Sequence, residues 1–86
     1  MFYTYVIKSM KNNYLYTGST IDLRKRFKQH NEGKSTYTKS RSPYELIYYE
    51  ASLNERDARS REKYLKSGMG KRYLKTRLKH FLSLTG

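Results

Sequence analysis

The chain has no cysteine and no tryptophan, a single proline, and only seven acidic residues among 86. Without cysteine there is neither a disulfide framework nor a thiolate metal site, and a reducing, cytoplasmic setting is the plain expectation. No apolar run approaches the roughly 20 residues needed to span a bilayer. The opening MFYTYVIKSMKNN offers no basic leader and no small-residue cleavage site, so a signal peptide is not expected either. The few acids face 19 Lys+Arg, which leaves a formal charge of +12. Such an excess repels itself in a folded chain and implies a polyanionic partner. Nucleic acid is the first candidate, because phosphate contacts and counterion release reward spread positive charge. An anionic membrane surface is the second.

What the chain does have is aromatic rings. Ten Tyr and three Phe make up 15% of the residues, too many for a disordered basic tail. They predict a folded domain whose small core is largely aromatic, with tyrosine hydroxyls needing partners or water. The length fits one domain over 1–86, with a monomer the favoured state. Residues 2–9 (FYTYVIKS) and 14–17 (YLYT) are aromatic and β-branched, with the polar MKNN between them, and read as a β-hairpin. Gly18 is expected to break the second strand. Ser19, Thr20 and Asp22 suit a helix start, and DLRKRFKQHN forms a helix ending near Gly33. The polar, basic 33–43 is a loop, and YELIYYEA (44–51) is a third strand after Pro43. Asn54 caps a second helix, NERDARSREKYLKS; Gly68 and Gly70 mark its end or a sharp turn. The tail KRYLKTRLKHFLSL places Leu74, Leu78 and Phe81 at helical spacing. The expectation is an α/β (α+β) fold of order β-β-α-β-α-α, a small three-stranded, mainly antiparallel sheet flanked by helices.

Within that frame some polar residues fall on inward faces. At about 100° per residue, Arg26 and His30 share a helix face on the sheet-side shoulder of the Leu23/Phe27 stripe. In the second helix Ala58, Leu65 and Met69 form the inward stripe, and Glu62 lies in it. An inward carboxylate is costly unless paired, hydrogen-bonded or metal-bound. Each residue has a plain account: a salt bridge for Glu62, with Arg26 a candidate partner; snorkelling for Arg26; a capping or packed imidazole for His30; strand packing for the tyrosines. Together they also suit phosphodiester hydrolysis. A Glu holds a hard divalent cation such as Mg²⁺, Arg matches a phosphate, and the remaining groups serve proton transfer and charge stabilisation.

These residues resemble the GIY-YIG nuclease family, named for two short strand motifs about ten residues apart. Tyr3-Thr4-Tyr5 stands where Gly-Ile-Tyr is expected, and Tyr16-Thr17-Gly18 stands for Tyr-Ile-Gly. The run YTGSTIDLRKRFKQHN is the strongest part, and RSPYELIYYE and REKYLKSGMGKRYLK follow in the right order. The chain looks like the small, freestanding bacterial members, related to the N-terminal nuclease domain of the excision-repair incision subunit. The resemblance covers nearly the whole chain and implies a Mg²⁺- (or Mn²⁺-) dependent DNA endonuclease, a phosphodiester hydrolase with a place in DNA repair or recombination. It makes Tyr5 and Tyr16 the motif tyrosines, Arg26 the catalytic arginine, His30 a family helix position and Glu62 the metal ligand.

Family specificity usually comes from an attached DNA-binding domain. Structure-directed or weakly specific cutting is therefore expected, with a partner protein as a source of specificity and no small-molecule cofactor or membrane. Two departures stand out: Tyr3 replaces the leading Gly, and a late site Asn used by some homing-type members has no counterpart. A non-cleaving nucleic-acid-binding module is the alternative, and an RNA- or ribosome-associated protein a third reading. Lys34, Lys39 and Arg41, with Tyr37 among them, are candidate DNA contacts in the loop. Lys71, Arg72, Lys75, Arg77 and Lys79 form a candidate second phosphate-contact face.

Overall fold

The computed structural model describes residues 1–85; Gly86, the last residue of the domain expected over 1–86, lies outside the described residues. Strands β1 (Phe2–Ser9), β2 (Leu15–Thr20) and β3 (Tyr44–Ser52) combine with helices α1 (Leu23–Asn31), α2 (Glu55–Lys66), α3 (Gly68–Arg77) and α4 (Lys79–Thr85). The 3₁₀ turn Lys39–Arg41 precedes β3. The sheet order is β2-β1-β3, with both pairings antiparallel. No helix among the described residues is long and apolar enough to cross a membrane.

Local chemistry explains the elements. In the hairpin turn, Ser9 Oγ accepts from the amides of Lys11 and Asn12 (3.1 and 3.2 Å), and Asn13 adopts φ +64°, a conformation that asparagine tolerates. Asp22 caps α1 by accepting from the Lys25 amide at 3.1 Å. Gly33, at φ +74°, closes the helix: its amide meets the His30 carbonyl, and that of Lys34 meets Gln29. Asn54 caps α2, whose first turn carries Glu55 and Asp57 and whose last carries Lys63 and Lys66, all favourable to the helix dipole.

β1, paired on both sides, is buried from Thr4 to Ser9 and divides the core by its alternation. Tyr5 and Ile7 pack with Tyr44, Leu23, Phe27 and Leu46 on the α1 face. Val6 packs with Leu65, Leu74, Ile47 and Tyr48 on the α2–α3 face. A register shift between Val6 and Ile7 leaves Ile47 as the extra residue of β3, and so Ile47 and Tyr48, though consecutive, join the same cluster.

Three details differ from the sequence expectation. β2 runs through Gly18 to Thr20. The tail forms two helices, because α3 begins at Gly68 under a Ser67 cap and stops before Leu78 (φ −111°, ψ 25°); neither Gly nor Pro marks that break. Met69 is not on the inward stripe but 69% exposed, since α2 ends at Lys66 and the extended Ser67 resets the helix. Gly70 is the residue that lets α3 leave α2 so closely. A Cβ there would lie 2.0 Å from the Tyr64 carbonyl oxygen and 2.4 Å from Leu65 Cα. Gly70→Ala is therefore expected to destabilise the fold by about 1–3 kcal/mol, the usual range for overpacking. Urea unfolding measures it, and a midpoint equal to wild type would show that the two helices part freely.

Candidate active site

Tyr5 lies mid-way along β1, opposite Gly18 of β2 and Tyr49 of β3. Gly18 leaves the space for its phenol: a Cβ there would stand 2.6 Å from Tyr5 Oη and 2.8 Å from Cζ. The strand break expected at Gly18 is thus replaced by a close approach across the hairpin. Tyr5 is 1% exposed, so its hydroxyl needs a protein partner, and His30 Nε2 supplies one at 2.7 Å. His30, near the end of α1, is itself fully buried; its Nδ1 lies 2.7 Å from Thr38 Oγ1. The Thr38 carbonyl accepts the Tyr44 hydroxyl at 2.9 Å. A polar chain therefore runs from β1 through α1 and the 33–43 loop to β3.

Burial sets the protonation states. It pushes the Tyr5 phenol up to about 12; Arg26 pulls the other way, while the fields of Tyr16 and Glu62 add to the rise. It pushes the His30 imidazole down to about 4, and the Arg26 charge acts in the same direction. At neutral pH the phenol keeps its proton and the imidazole is uncharged, with one ring nitrogen donating and the other accepting. In the tautomer whose Nδ1–H faces Thr38, a bare Nε2 accepts the Tyr5 hydroxyl.

Tyr16 on β2 is half-buried and closes over this pair, its ring centroid 5.1 Å from that of His30 and 6.5 Å from that of Tyr5. Arg26, one turn before His30 and half-buried, donates from Nη1 to Gln29 Oε1 at 3.2 Å. Glu62 arrives from α2 and meets the sheet at its β2 edge. Ser19 Oγ donates to Oε1 at 2.7 Å and Lys66 Nζ to Oε2 at 2.8 Å. Burial raises the Glu62 carboxyl, but Lys66 and Ser19 outweigh it and hold the group below the usual carboxylate range, with Arg59 adding to their effect. The salt bridge considered between Glu62 and Arg26 is thus formed with Lys66 instead.

Tyr5, Tyr16 and His30 are in ring contact. Arg26 acts electrostatically on both Tyr5 and His30, and Glu62 on Tyr5. No hydrogen bond joins Glu62 to the other four among the described residues. Glu62 lines a shallow depression with Ser19, Arg59, Lys63 and Lys66. Among the described residues no three His, Cys, Asp or Glu side chains group into a metal cage. One carboxylate suits a hard cation that keeps most of its waters and takes its remaining oxygens from phosphate.

Of the candidate DNA contacts, Lys71 lines one groove with Tyr16 and Lys66, and Lys39 follows Thr38 in the chain. Lys34 is exposed, 3.4 Å from Glu32, and Lys39 is exposed in the 3₁₀ turn. Arg41 is half-buried with its guanidinium 4.3 Å over the Tyr14 ring, and Tyr37 is exposed. Lys71 and Arg72 are exposed on α3. Sequence reasoning missed Thr38, Ser19 and Lys66. Only Lys66 carried a signal, as the i+4 partner of Glu62 on one helix.

The GIY-YIG catalytic domain matches residues 1–79. A UPF0213 protein of Clostridium perfringens is 48% identical over 67 residues, covering 77% of this chain and 71% of that protein. One of Pediococcus pentosaceus is 41% identical over 85 residues, covering 98% and 88%. The UPF0213 protein YazA of Bacillus subtilis is 49% identical over 63 residues, covering 72% and 63%. No solved structure matches.

The depressed His30 pKa has a consequence for stability. Between about 4 and the ordinary 6.5 the unfolded chain binds a proton that the folded chain refuses. The stabilisation is therefore complete above pH 6.5 and is lost as pH falls toward 4, at up to about 1.4 kcal/mol per pH unit. Urea unfolding across pH 7 to 4 should show His30→Gln losing less stability than wild type over that window. Parallel profiles would mean that His30 titrates normally in the fold.

Proposed function

The chain belongs to the GIY-YIG nuclease family, and on that footing we propose that it is a Mg²⁺-dependent DNA endonuclease. The observation that carries the reading is the buried Tyr5–His30 pair, flanked by an arginine and by the carboxylate of a neighbouring helix whose charges both act on the phenol. A divalent cation at Glu62 would supply a Lewis acid for phosphate and would make a bound water more acidic. Glu62 is the residue to hold it, with Mn²⁺ an acceptable substitute for Mg²⁺.

The chain's own residues do the rest. Arg26 presents a fork of donors to the scissile phosphate and to the charge that grows on it. The Tyr5 hydroxyl, protonated at neutral pH, orients the attacking water through its hydrogen bond. Its own proton stays in the hydrogen bond to His30 Nε2, because burial raises the phenol and lowers the imidazole; the bond fixes the hydroxyl's direction and leaves its lone pairs for the water. Tyr16 covers the pair and limits water around it. The substituted first-motif residue, Tyr3, packs against Tyr49 with centroids 6.2 Å apart, leaving the Tyr5 hydroxyl to His30. Cutting directed by DNA structure, in repair or recombination and with a partner protein adding specificity, fits a basic surface that spreads its charge.

One observation favours the non-cleaving alternative: both Glu62 oxygens are engaged, by Ser19 and by Lys66. A nicking assay on branched, flapped and plain DNA with Mg²⁺ separates the readings. Wild type is expected to nick, and Glu62→Ala to lose roughly 10²-fold or more of the rate while DNA binding stays within about threefold. Undiminished nicking by that variant would remove Glu62 from the chemistry. Binding without a metal-dependent product on any substrate would favour the non-cleaving module.

A further inference from the structure

On the face of the sheet away from α1, a groove of about 780 Å³ opens between β2 and the α3–α4 segment. Its floor is aliphatic, with Leu65 and Leu74 at the base. Its charged lining has one sign: Lys8, Lys66, Lys71 and Lys75 contribute, and among the described residues no Asp or Glu does. Two of these lysines are exposed on α3, one helical turn apart. Lys8 differs from them. It projects from the central strand on the Val6 side, is only 9% exposed, and has no hydrogen bond or ion pair to its ammonium among the described residues. No buried side-chain nitrogen among the described residues lacks a partner, so the Lys8 stem is buried while its ammonium reaches the solvent of the groove and adds to its positive lining.

The groove is also continuous with the candidate active site. Tyr16 lines it, and so does Lys66, the residue that holds Glu62 Oε2. An occupant that binds phosphate at Lys66 would release one Glu62 oxygen beside the scissile position. Tyr14, 49% exposed, stands at the β2 wall with Arg41 over one ring face, leaving the other for a base, while the Tyr16 ring packs on the Tyr5–His30 side. Anionic groups along one side and flat apolar groups along the other describe an unpaired nucleic-acid strand. A paired duplex keeps its base faces stacked and out of reach.

We propose that this groove binds the unpaired strand of a DNA junction, its phosphates on Lys8, Lys66, Lys71 and Lys75 and a base against Tyr14 and the aliphatic floor. The proposal rests on the reading that the chain acts on DNA, and it narrows the substrate class from DNA in general to junctions with a single-stranded arm.

Fluorescence anisotropy of labelled oligonucleotides with the full chain in EDTA reads binding without cutting. The probes are a single strand, a blunt duplex, and the same duplex with a single-stranded flap. The flap and the single strand are expected to bind roughly tenfold tighter than the blunt duplex at matched salt, about the worth of one stacked base. Lys71→Gln/Lys75→Gln, changed only at exposed positions, should flatten the single-strand salt slope by about 1.4, two phosphates at roughly 0.7 each, with little effect on the blunt duplex. Lys8→Met, checked for folding by circular dichroism, should remove about 0.7 more; should it not fold, the paired variant carries the test alone. Equal affinity for flap and blunt duplex, or an equal loss on both, would overturn the proposal. So would displacement of the strand by micromolar oleate that binds more tightly than DNA, which would assign the groove to an acyl anion. Nicking with Mg²⁺ on the same substrates keeps the two readings apart. Nicking without flap preference retains the nuclease and discards the groove, whereas flap-selective binding with no nicking retains the groove and discards the cutting.

Discussion

A phenol placed at the centre of a three-stranded sheet must be given both room and a partner, and most of the site follows from meeting those two needs for Tyr5. Room comes from Gly18, directly opposite on the hairpin, where any side chain would collide with the ring. The partner is His30, which has to be buried as well to reach the hydroxyl. Burying the imidazole creates a second polar atom to satisfy, and Thr38 meets it from a loop that otherwise carries exposed lysines. Tyr44 then fastens that loop residue to β3. Removing water from such a chain strengthens each hydrogen bond and keeps both titratable groups uncharged at neutral pH.

The carboxylate reaches the same neighbourhood by a separate route. α2 packs on the opposite face from α1 and is tied down at both edges of the sheet. On the β3 side Arg61 donates to both Glu50 oxygens (2.5 and 3.2 Å), while the Tyr48 hydroxyl donates to one of them and lies 3.2 Å from that of Tyr73. On the β2 side the adjacent residue, Glu62, takes the Ser19 hydroxyl. Two consecutive helix residues thus span the sheet in opposite directions. Arg61 and Glu50 hold each other charged, and that pair fixes the helix from which Glu62 approaches the phenol.

Periodicity served well where one face of an element is buried. It placed Arg26 and His30 on the sheet-side shoulder of α1 and Glu62 on the inward side of α2, where the structure finds them buried or half-buried. It failed where a break in the backbone resets the count, as at Ser67 for Met69 and at Leu78 for the tail. Thr38 was illegible for another reason. A single threonine in a polar loop has no period, and its value depends on a histidine eight residues away in sequence. Gly18 was visible as a glycine, but its purpose lies across the hairpin in a ring that no local rule brings into view. The roles given to Tyr5 and Tyr16 came from resemblance alone, since strand tyrosines pack in sheets without any chemistry.

Tyr5 and His30 are, on this account, a single functional unit whose two halves have no use apart. Single-turnover cleavage of a flapped duplex with Mg²⁺, measured for Tyr5→Phe, His30→Gln and the double variant, tests that claim most directly. Each single change is expected to slow cleavage by roughly 10²–10⁴-fold, and the double variant to fall within about threefold of the slower single, as residues acting together do. Losses that multiply in the double variant would show two independent groups and contradict the account.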